Sequence, residues 1–211
     1  MKLSYKNVAG LILLTALTAS ASYAQQQFTH KVTATNRNCN TVCSVFDIPE
    51  LNNNPAAVVF ITPIGNARDL NPHPIGAYYM YLKKWSVFNL DGASIAEGAK
   101  YKVEYYVNSG PDRFVYIVPR QVHLSDIPYI DREGLNGNPN ARPRVFPTSS
   151  PTHGALYNRD DVKVEYDAGA GKWFIANVNG KPVPWEAVYN VFLFAEGISN
   201  TTSTIPAKKP N

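Results

Sequence analysis

Residues 85–92, Trp-Ser-Val-Phe-Asn-Leu-Asp-Gly, and residues 173–180, Trp-Phe-Ile-Ala-Asn-Val-Asn-Gly, lie 88 positions apart and end on matched turn pairs. The similarity extends without a gap over residues 78–105 and 166–193, with 8 identities in 28 aligned positions, where ordinary composition gives roughly two. The identical pairs are Tyr78/Tyr166, Lys84/Lys172, Trp85/Trp173, Asn89/Asn177, Gly92/Gly180, Ala99/Ala187, Tyr101/Tyr189 and Val103/Val191. Most of these are packing and turn residues, so the sequence predicts a structural unit that was built twice as scaffold.

Strand patterns dominate the chain. In the strand predicted at 101–107, Tyr101, Val103, Tyr105 and Val107 face one way and Lys100, Lys102 and Glu104 face the other. Residues 113–118 follow as a returning strand after a turn cluster. Asp91-Gly92 and Asn179-Gly180 are residue pairs that hairpin turns favour. We therefore expect an all-β fold, either an antiparallel β-sandwich or two packed β units, formed by an internal duplication.

The first 24 residues have the pattern of a secretory signal peptide. Lys2 and Lys6 precede an apolar run over residues 8–17, and an Ala-x-Ala-like stretch ends at Ala24. The rest of the chain is predicted to comprise an N-terminal strand with a disulfide loop (25–55), β repeat 1 (56–118), a connecting surface segment (119–154), β repeat 2 (155–196) and a flexible tail (197–211).

Charge and hydropathy restrict the partners and the compartment. The net charge of +4 falls to about +2 without the leader, which contains two lysines and no acidic residue. A net charge this close to zero does not indicate a basic surface for binding nucleic acid or an anionic membrane. No later stretch is apolar enough to cross a bilayer. The expected location is therefore secreted or at the cell surface, with the periplasm as a further possibility.

Both cysteines lie in one short loop. Cys39 and Cys43 are separated by three residues, whereas a thioredoxin-like pair has two, and no histidine pair accompanies them as in a zinc site. In an oxidising compartment this spacing predicts a local disulfide. Closing so short a loop contributes about 2 kcal/mol, so the bond would fix a turn without holding the fold together.

Three stretches of the first copy resemble a known family. They are Asn-Pro-His-Pro-Ile-Gly-Ala-Tyr-Tyr at 71–79, the Trp-to-Gly stretch at 85–92, and Gly-Ala-Lys-Tyr-Lys-Val at 98–103. Together they resemble a domain of unknown function in secreted bacterial proteins, often in tandem copies. The copies of that domain read roughly N-x-H-P-x-G-V-x-Y, W-x-I-F-N-x-D-G and G-x-x-F-N-V. The resemblance covers about half of the mature chain and implies export and β structure, but no chemistry; copy two has Asp161 where copy one has His73.

The sequence carries no catalytic, cofactor or metal signature. Glycine-rich phosphate loops, nucleophile elbows and zinc-protease motifs are all missing from it. The histidines are far apart in sequence, at His30, His73, His123 and His153. The acidic cluster Asp160, Asp161, Glu165 and Asp167 could bind calcium, but it lacks the spacing of a calcium loop and is expected to be solvated.

Three features could serve binding or assembly. Trp185 replaces Glu97 of the first copy and is a possible ligand contact or a packing residue, whereas Trp85 and Trp173 are expected in cores. The alternating residues Phe28, His30, Val32 and Ala34 form a possible assembly strand, which either joins a neighbour's sheet or pairs within its own domain. The apolar positions Val188, Phe192 and Phe194 form a possible interface, covered by the first repeat, by the N-terminal segment or by another molecule.

These patterns favour an exported, non-enzymatic structural or adhesive β protein, which could assemble with itself into a surface or filament subunit. The alternative is a secreted carbohydrate-binding module that uses Trp185 and loop tyrosines, because aromatic faces suit sugar rings. A secreted hydrolase with unidentified catalytic residues is the third hypothesis. The expected partners are a second copy, another extracellular protein or a glycan, and no cofactor is expected.

Overall fold

The computed structural model describes residues 25–120, 127–150 and 157–194; the predicted signal peptide and the predicted tail lie outside these ranges. Within them the chain forms thirteen strands and one helix of four residues. The predicted all-β fold is confirmed. The strands are β1 (Gln26–Lys31), β2 (Arg37–Asn38), β3 (Cys43–Val45), β4 (Val58–Ile64), β5 (Ile75–Tyr79), β6 (Trp85–Asn89), β7 (Lys100–Tyr106), β8 (Arg113–Ile117), β9 (Tyr129–Ile130), β10 (Arg144–Ser149), β11 (Val162–Asp167), β12 (Lys172–Asn177) and β13 (Val188–Phe192), and the helix is α1 (Ala67–Leu70).

The strands form two sandwiches that share one long sheet. In the first repeat, the sheet β1-β7-β4 packs on β3-β6-β5, and in the second, β8-β13-β10 packs on β9-β12-β11. Each sandwich encloses its own apolar core, in which Trp85 and Trp173 are buried as predicted. Strands β5 and β10 pair in parallel and join the repeats in a seven-stranded sheet, while all other pairs among the described strands are antiparallel.

The duplication is larger than the sequence alignment indicated. Strands β1, β7 and β4 correspond to β8, β13 and β10, with Phe28 opposite Val103 and Phe114 opposite Val191. Beyond each first strand the same backbone hydrogen bond recurs, from Val32 to Ala99 and from Val118 to Ala187, at 2.9 Å in both cases. The repeats therefore begin at β1 and β8, and nearly all of the described chain belongs to one of them.

The prediction that residues 119–154 form a surface connection is wrong. The segment contains β9 and also β10, which lies between β5 and β13 in the long sheet. Its loop repeats a pattern of the first copy, Asp-x-x-x-Leu-Asn-x-Asn-Pro-x-Ala, at 47–57 and 131–141. Both loops bury the leucine completely and receive a 2.8 Å hydrogen bond from a tryptophan indole. The offset here is 84 residues, so the gapless alignment at 88 did not detect it.

Strand pairing in the two hairpins shifts the correspondence between the repeats by one residue at Tyr78. Tyr79 lies opposite Trp85 and Tyr166 opposite Trp173, with ring centroids 5.5 and 5.4 Å apart. Tyr79 is therefore the counterpart of Tyr166, whereas Tyr78 lies on the other face of the sheet, against Phe88. The second hairpin loop is one residue longer, which also makes Asp160, and not Asp161, the counterpart of His73.

The two repeats are joined by side chains as well as by strand pairing. Phe192 of β13 stacks on Tyr106 with ring centroids 5.6 Å apart, and it also contacts Phe60 of β4. A Cβ atom on Gly76 would lie 3.2 Å from the Pro147 carbonyl oxygen, so the missing side chain permits β10 to approach β5. The apolar face of β13 is thus covered by the first repeat of the same chain.

Candidate functional site

Most of the residues that carry the family resemblance have structural roles. Asn71 and Asn89 are buried and exchange two side-chain hydrogen bonds of 2.8 and 2.9 Å. Asn71 also donates to the Tyr101 hydroxyl group at 3.0 Å, and burial raises the pKa of Tyr101 to about 12. In the second repeat Asn158 donates to Asn177 in the same way. Each repeat thus has a buried amide pair, which connects the segment before β5 to the end of β6 in the first repeat and the segment before β11 to the end of β12 in the second.

The motif histidine contacts an aspartate at the surface. The Nδ1 atom of His73 lies 2.7 Å from Asp91 Oδ2, and both side chains are about one third exposed. Burial would raise the pKa of Asp91, but hydrogen bonds from the Ala93 backbone and from His73 outweigh it and lower the pKa.

The predicted acidic cluster does not converge. Asp160 and Asp161 line a shallow depression of about 300 Å³ with Pro74, whereas Glu165 pairs with Lys163 at 2.7 Å. Among the described residues, no group of three or more histidines, cysteines or acidic residues could hold a metal ion.

In the first repeat, the outer face of the sheet β3-β6-β5 is closed. Met80, Phe88 and Leu90 are buried there beside the predicted Cys39–Cys43 disulfide, which is present. Tyr157, from the chain that connects β10 to β11, covers Phe88 with ring centroids 5.1 Å apart. The apolar outer face of this sheet in the first repeat is therefore covered by the protein's own chain.

The equivalent face in the second repeat is not closed by the described part of the chain. The outer positions of β9-β12-β11 carry two aromatic side chains, Tyr129 and Phe174, which are half-buried with their ring centroids 6.1 Å apart. Their first-repeat counterparts are Val45 and the fully buried Ser86. We call this surface the open face; its residues are Tyr129, Lys163, Glu165, Asp167, Lys172, Phe174 and Ala176.

The aromatic pair on the open face is held in place by its surroundings. The Tyr129 hydroxyl group donates to Asp167 Oδ2 at 2.5 Å, and Asp167 Oδ1 accepts backbone hydrogen bonds from Gly169 and Ala170. The hydrogen bond between the two side chains raises the pKa of Tyr129 and lowers the pKa of Asp167. A shallow groove of about 150 Å³ lies beside Phe174, and Ile127, Ala176 and Lys181 contribute to its wall.

Trp185, the possible ligand contact, lies outside the open face. Trp185 is half-buried, and the guanidinium group of Arg120 lies 5.8 Å from the centroid of its ring. A flanking cation of this kind is compatible with packing as well as with ligand contact.

The possible assembly strand pairs within its own chain. All six residues of β1 are in register with β7, and Phe28 contacts Phe46 with ring centroids 5.5 Å apart. His30 and Val32 are buried, whereas Ala34 is exposed beyond the end of the strand.

The possible interface residues also contact their own chain. Val188 is fully buried, and Phe194 packs on Phe192, which contacts the first repeat. His123 and His153 lie outside the described residues.

The comparisons with known proteins agree with the duplicated architecture. The family model of a domain of unknown function, DUF7452, matches the chain twice, over residues 16–104 and 78–193. The chain belongs to this family. Membership in DUF7452 brings no assigned chemistry. No curated protein and no solved structure matches the chain. In the part of the chain that the structure describes, no helix has the length and apolar character needed to span a membrane.

Sequence reasoning missed the open face, although one signal was present. Trp173 and Phe174 are adjacent in a strand, where successive side chains point to opposite faces of a sheet. With Trp173 in the core, Phe174 had to lie on the outer face. Whether that face was covered depended on the course of other segments.

Proposed function

We propose that this protein is an exported, non-enzymatic adhesive module whose second repeat binds a partner through the open face. The observation that carries the proposal is the contrast between the two copies. The first repeat buries this face beneath its own chain, while the second places Tyr129 and Phe174 there with both rings partly accessible. Accessible, fixed aromatic side chains are typical of recognition surfaces.

The export part of the proposal is supported by the leader and by the disulfide. The leader has the composition of a secretory signal. The Cys39–Cys43 bond is stable in an oxidising compartment. Expression of the full chain in a secreting host should give a mature protein that begins at Gln25, as measured by N-terminal sequencing. A product that retains residues 1–24 would contradict export by signal-peptide cleavage.

The binding part is tested with purified residues 25–211 and immobilised extracellular material, namely cell envelopes, mucin and matrix proteins. We expect Phe174→Ser, which installs the residue of the first repeat, to weaken retention tenfold or more. The matched control is Tyr81→Ser, because Tyr81 is a 79% exposed aromatic side chain on the hairpin tip of the first repeat. Retention that is equal for wild type and Phe174→Ser would contradict the proposal.

Self-assembly through β1 is not needed to complete the fold, since β1 already pairs with β7 along its whole length. We therefore expect light scattering on residues 25–211 to give a monomer. A filament or a defined oligomer would return the structural-subunit hypothesis to first place.

A further inference from the structure

We infer that the open face binds a neutral glycan chain, with Tyr129 and Phe174 as the stacking residues. The inference rests on the proposed function and names its ligand class. A sugar ring presents C–H groups on its faces and hydroxyl groups at its edges, so a complementary surface needs aromatic faces surrounded by hydrogen-bonding groups. The open face has this composition: two aromatic rings lie among Lys163, Glu165 and Asp167.

The charges of the open face cancel locally. Lys163 pairs with Glu165 at 2.7 Å, and Lys172 pairs with Asp131 at 2.6 Å. The remaining carboxylate, Asp167, accepts three hydrogen bonds, from Tyr129, Gly169 and Ala170. No single-sign patch remains among these residues to attract an anionic or a cationic polymer. The polar groups still offer donors and acceptors, which favours an uncharged, hydroxyl-rich ligand.

The aromatic pair is arranged before any ligand binds. Tyr129 is fixed through its backbone by pairing with Phe174 and through its hydroxyl group by Asp167. Binding therefore orders few side chains, and the entropy cost is correspondingly small. The oxygen of the Tyr129 hydroxyl group can still accept a hydrogen bond from a sugar hydroxyl group.

The shape of the surface favours an extended ligand. The rings lie on an open three-stranded sheet, and the groove beside Phe174 has a volume of about 150 Å³. A small molecule that is recognised in isolation is normally enclosed on most sides. A chain that lies across the sheet can instead contact the rings with one unit and the groove with the next.

The test is affinity electrophoresis of residues 25–211 in gels that contain soluble neutral polysaccharides, namely xylan, mixed-linkage β-glucan, glucomannan and amylose, followed by calorimetry on any that retard the protein. We expect at least one to do so. Phe174→Ser should weaken its binding tenfold or more, and Tyr129→Phe, which removes the hydroxyl group and keeps the ring, by two- to fivefold. Tyr81→Ser should bind as wild type does, and thermal unfolding should show that all variants are folded.

Three results would overturn the inference in distinguishable ways. Binding of a protein or a charged glycan that is lost in Phe174→Ser, without retardation by any neutral polysaccharide, would remove the ligand class and leave the proposed function intact. Binding of any partner that is unaffected by Phe174→Ser would remove both. Polysaccharide binding that is lost in Trp185→Ala and kept in Phe174→Ser would place the glycan site elsewhere.

Discussion

His30 is a buried polar side chain whose titration bears on the stability of this fold. The imidazole is 8% exposed, and its Nε2 atom lies 2.7 Å from the hydroxyl oxygen of Ser44. Ser44 in turn donates to Asn36 at 2.7 Å, so His30 acts as the donor toward Ser44 in its neutral form. Burial lowers the pKa of His30 from 6.5 to about 4. The folded state therefore holds this histidine uncharged.

This pKa shift predicts a loss of stability in mild acid. The unfolded chain binds a proton at His30 below pH 6.5, whereas the folded chain resists protonation until about pH 4. The contribution of His30 is thus complete above pH 6.5 and decreases as the pH falls. Between pH 7 and pH 5 we expect a decrease of about 2 kcal/mol in the free energy of unfolding. Urea unfolding at the two pH values measures it.

The matched variant is His30→Gln, which keeps a hydrogen-bond donor for Ser44 and removes the titration. The difference in unfolding free energy between pH 7 and pH 5 should be about 2 kcal/mol smaller in this variant than in wild type. Equal pH dependence in both proteins would show that His30 is not the responsible group.

Among the elements, the loops that precede β4 in the first repeat and β10 in the second are built in the same way. Asn52 donates to Asp47 at 2.9 Å and Asn136 donates to Asp131 at 2.7 Å. The same aspartates pair with a lysine at the start of the neighbouring strand in their own sheet, Lys84 before β6 and Lys172 in β12, at 2.8 and 2.6 Å. Because the leucine of each loop is fully buried, the loop closes one end of its core.

Replacing this leucine in the second repeat tests whether residues 131–141 are part of the fold. Leu135→Ala should lower the free energy of unfolding by 2–5 kcal/mol, which is roughly the cost of a cavity in a packed core. Glu133→Ala in the same loop is the control, because Glu133 is exposed and should change stability by less than about 0.5 kcal/mol. A similarly small effect of Leu135→Ala would mean that the loop is a surface connection after all. Chemical denaturation measures both variants.

At the scale of the whole molecule, one carboxylate links the two repeats. Glu104 of β7, whose side chain is 10% exposed, accepts hydrogen bonds from Arg144 of β10 at 2.8 Å and from Gln25 at 2.6 Å. Lys102 lies 3.2 Å away. Burial would raise the pKa of Glu104, but the hydrogen bonds and charges of Arg144 and Lys102 outweigh it and lower the pKa. Glu104 and Arg144 therefore form an ionised pair between the two repeats.

Neutralising this carboxylate should weaken the contact between the two repeats. We expect Glu104→Gln to lower the free energy of unfolding by about 1–3 kcal/mol at pH 7, because Arg144 loses its charged partner. The folded pKa lies below the reference value of 4.5, so the difference from wild type should shrink as the pH falls through the folded pKa. Glu165→Gln, at an exposed ion pair, is the control and should cost less than about 1 kcal/mol. A loss that is unchanged at pH 3 would contradict the ionised pair.

Sequence patterns alone predicted the all-β class, the short disulfide, the burial of Trp85 and Trp173 and the existence of a duplication. Each follows from a local or regular signal: alternation with a period of two, a spacing between two cysteines, or residues that recur at a constant offset. The extent of the duplication was not determined, because insertions change the offset from 84 to 88 along the chain and a gapless comparison follows only one value.

Which surfaces are covered depends on contacts between segments that are distant in sequence. Phe192 and Phe174 are both aromatic residues on the outer face of a strand, yet the first packs on Tyr106 of the other repeat and the second stays partly accessible. The cover over Phe192 comes from segments that are distant in sequence, namely Phe60 of β4 and Tyr106 of β7. Side-chain alternation fixes the face of a sheet on which a residue lies. What packs on that face depends on chain topology, which local patterns do not encode.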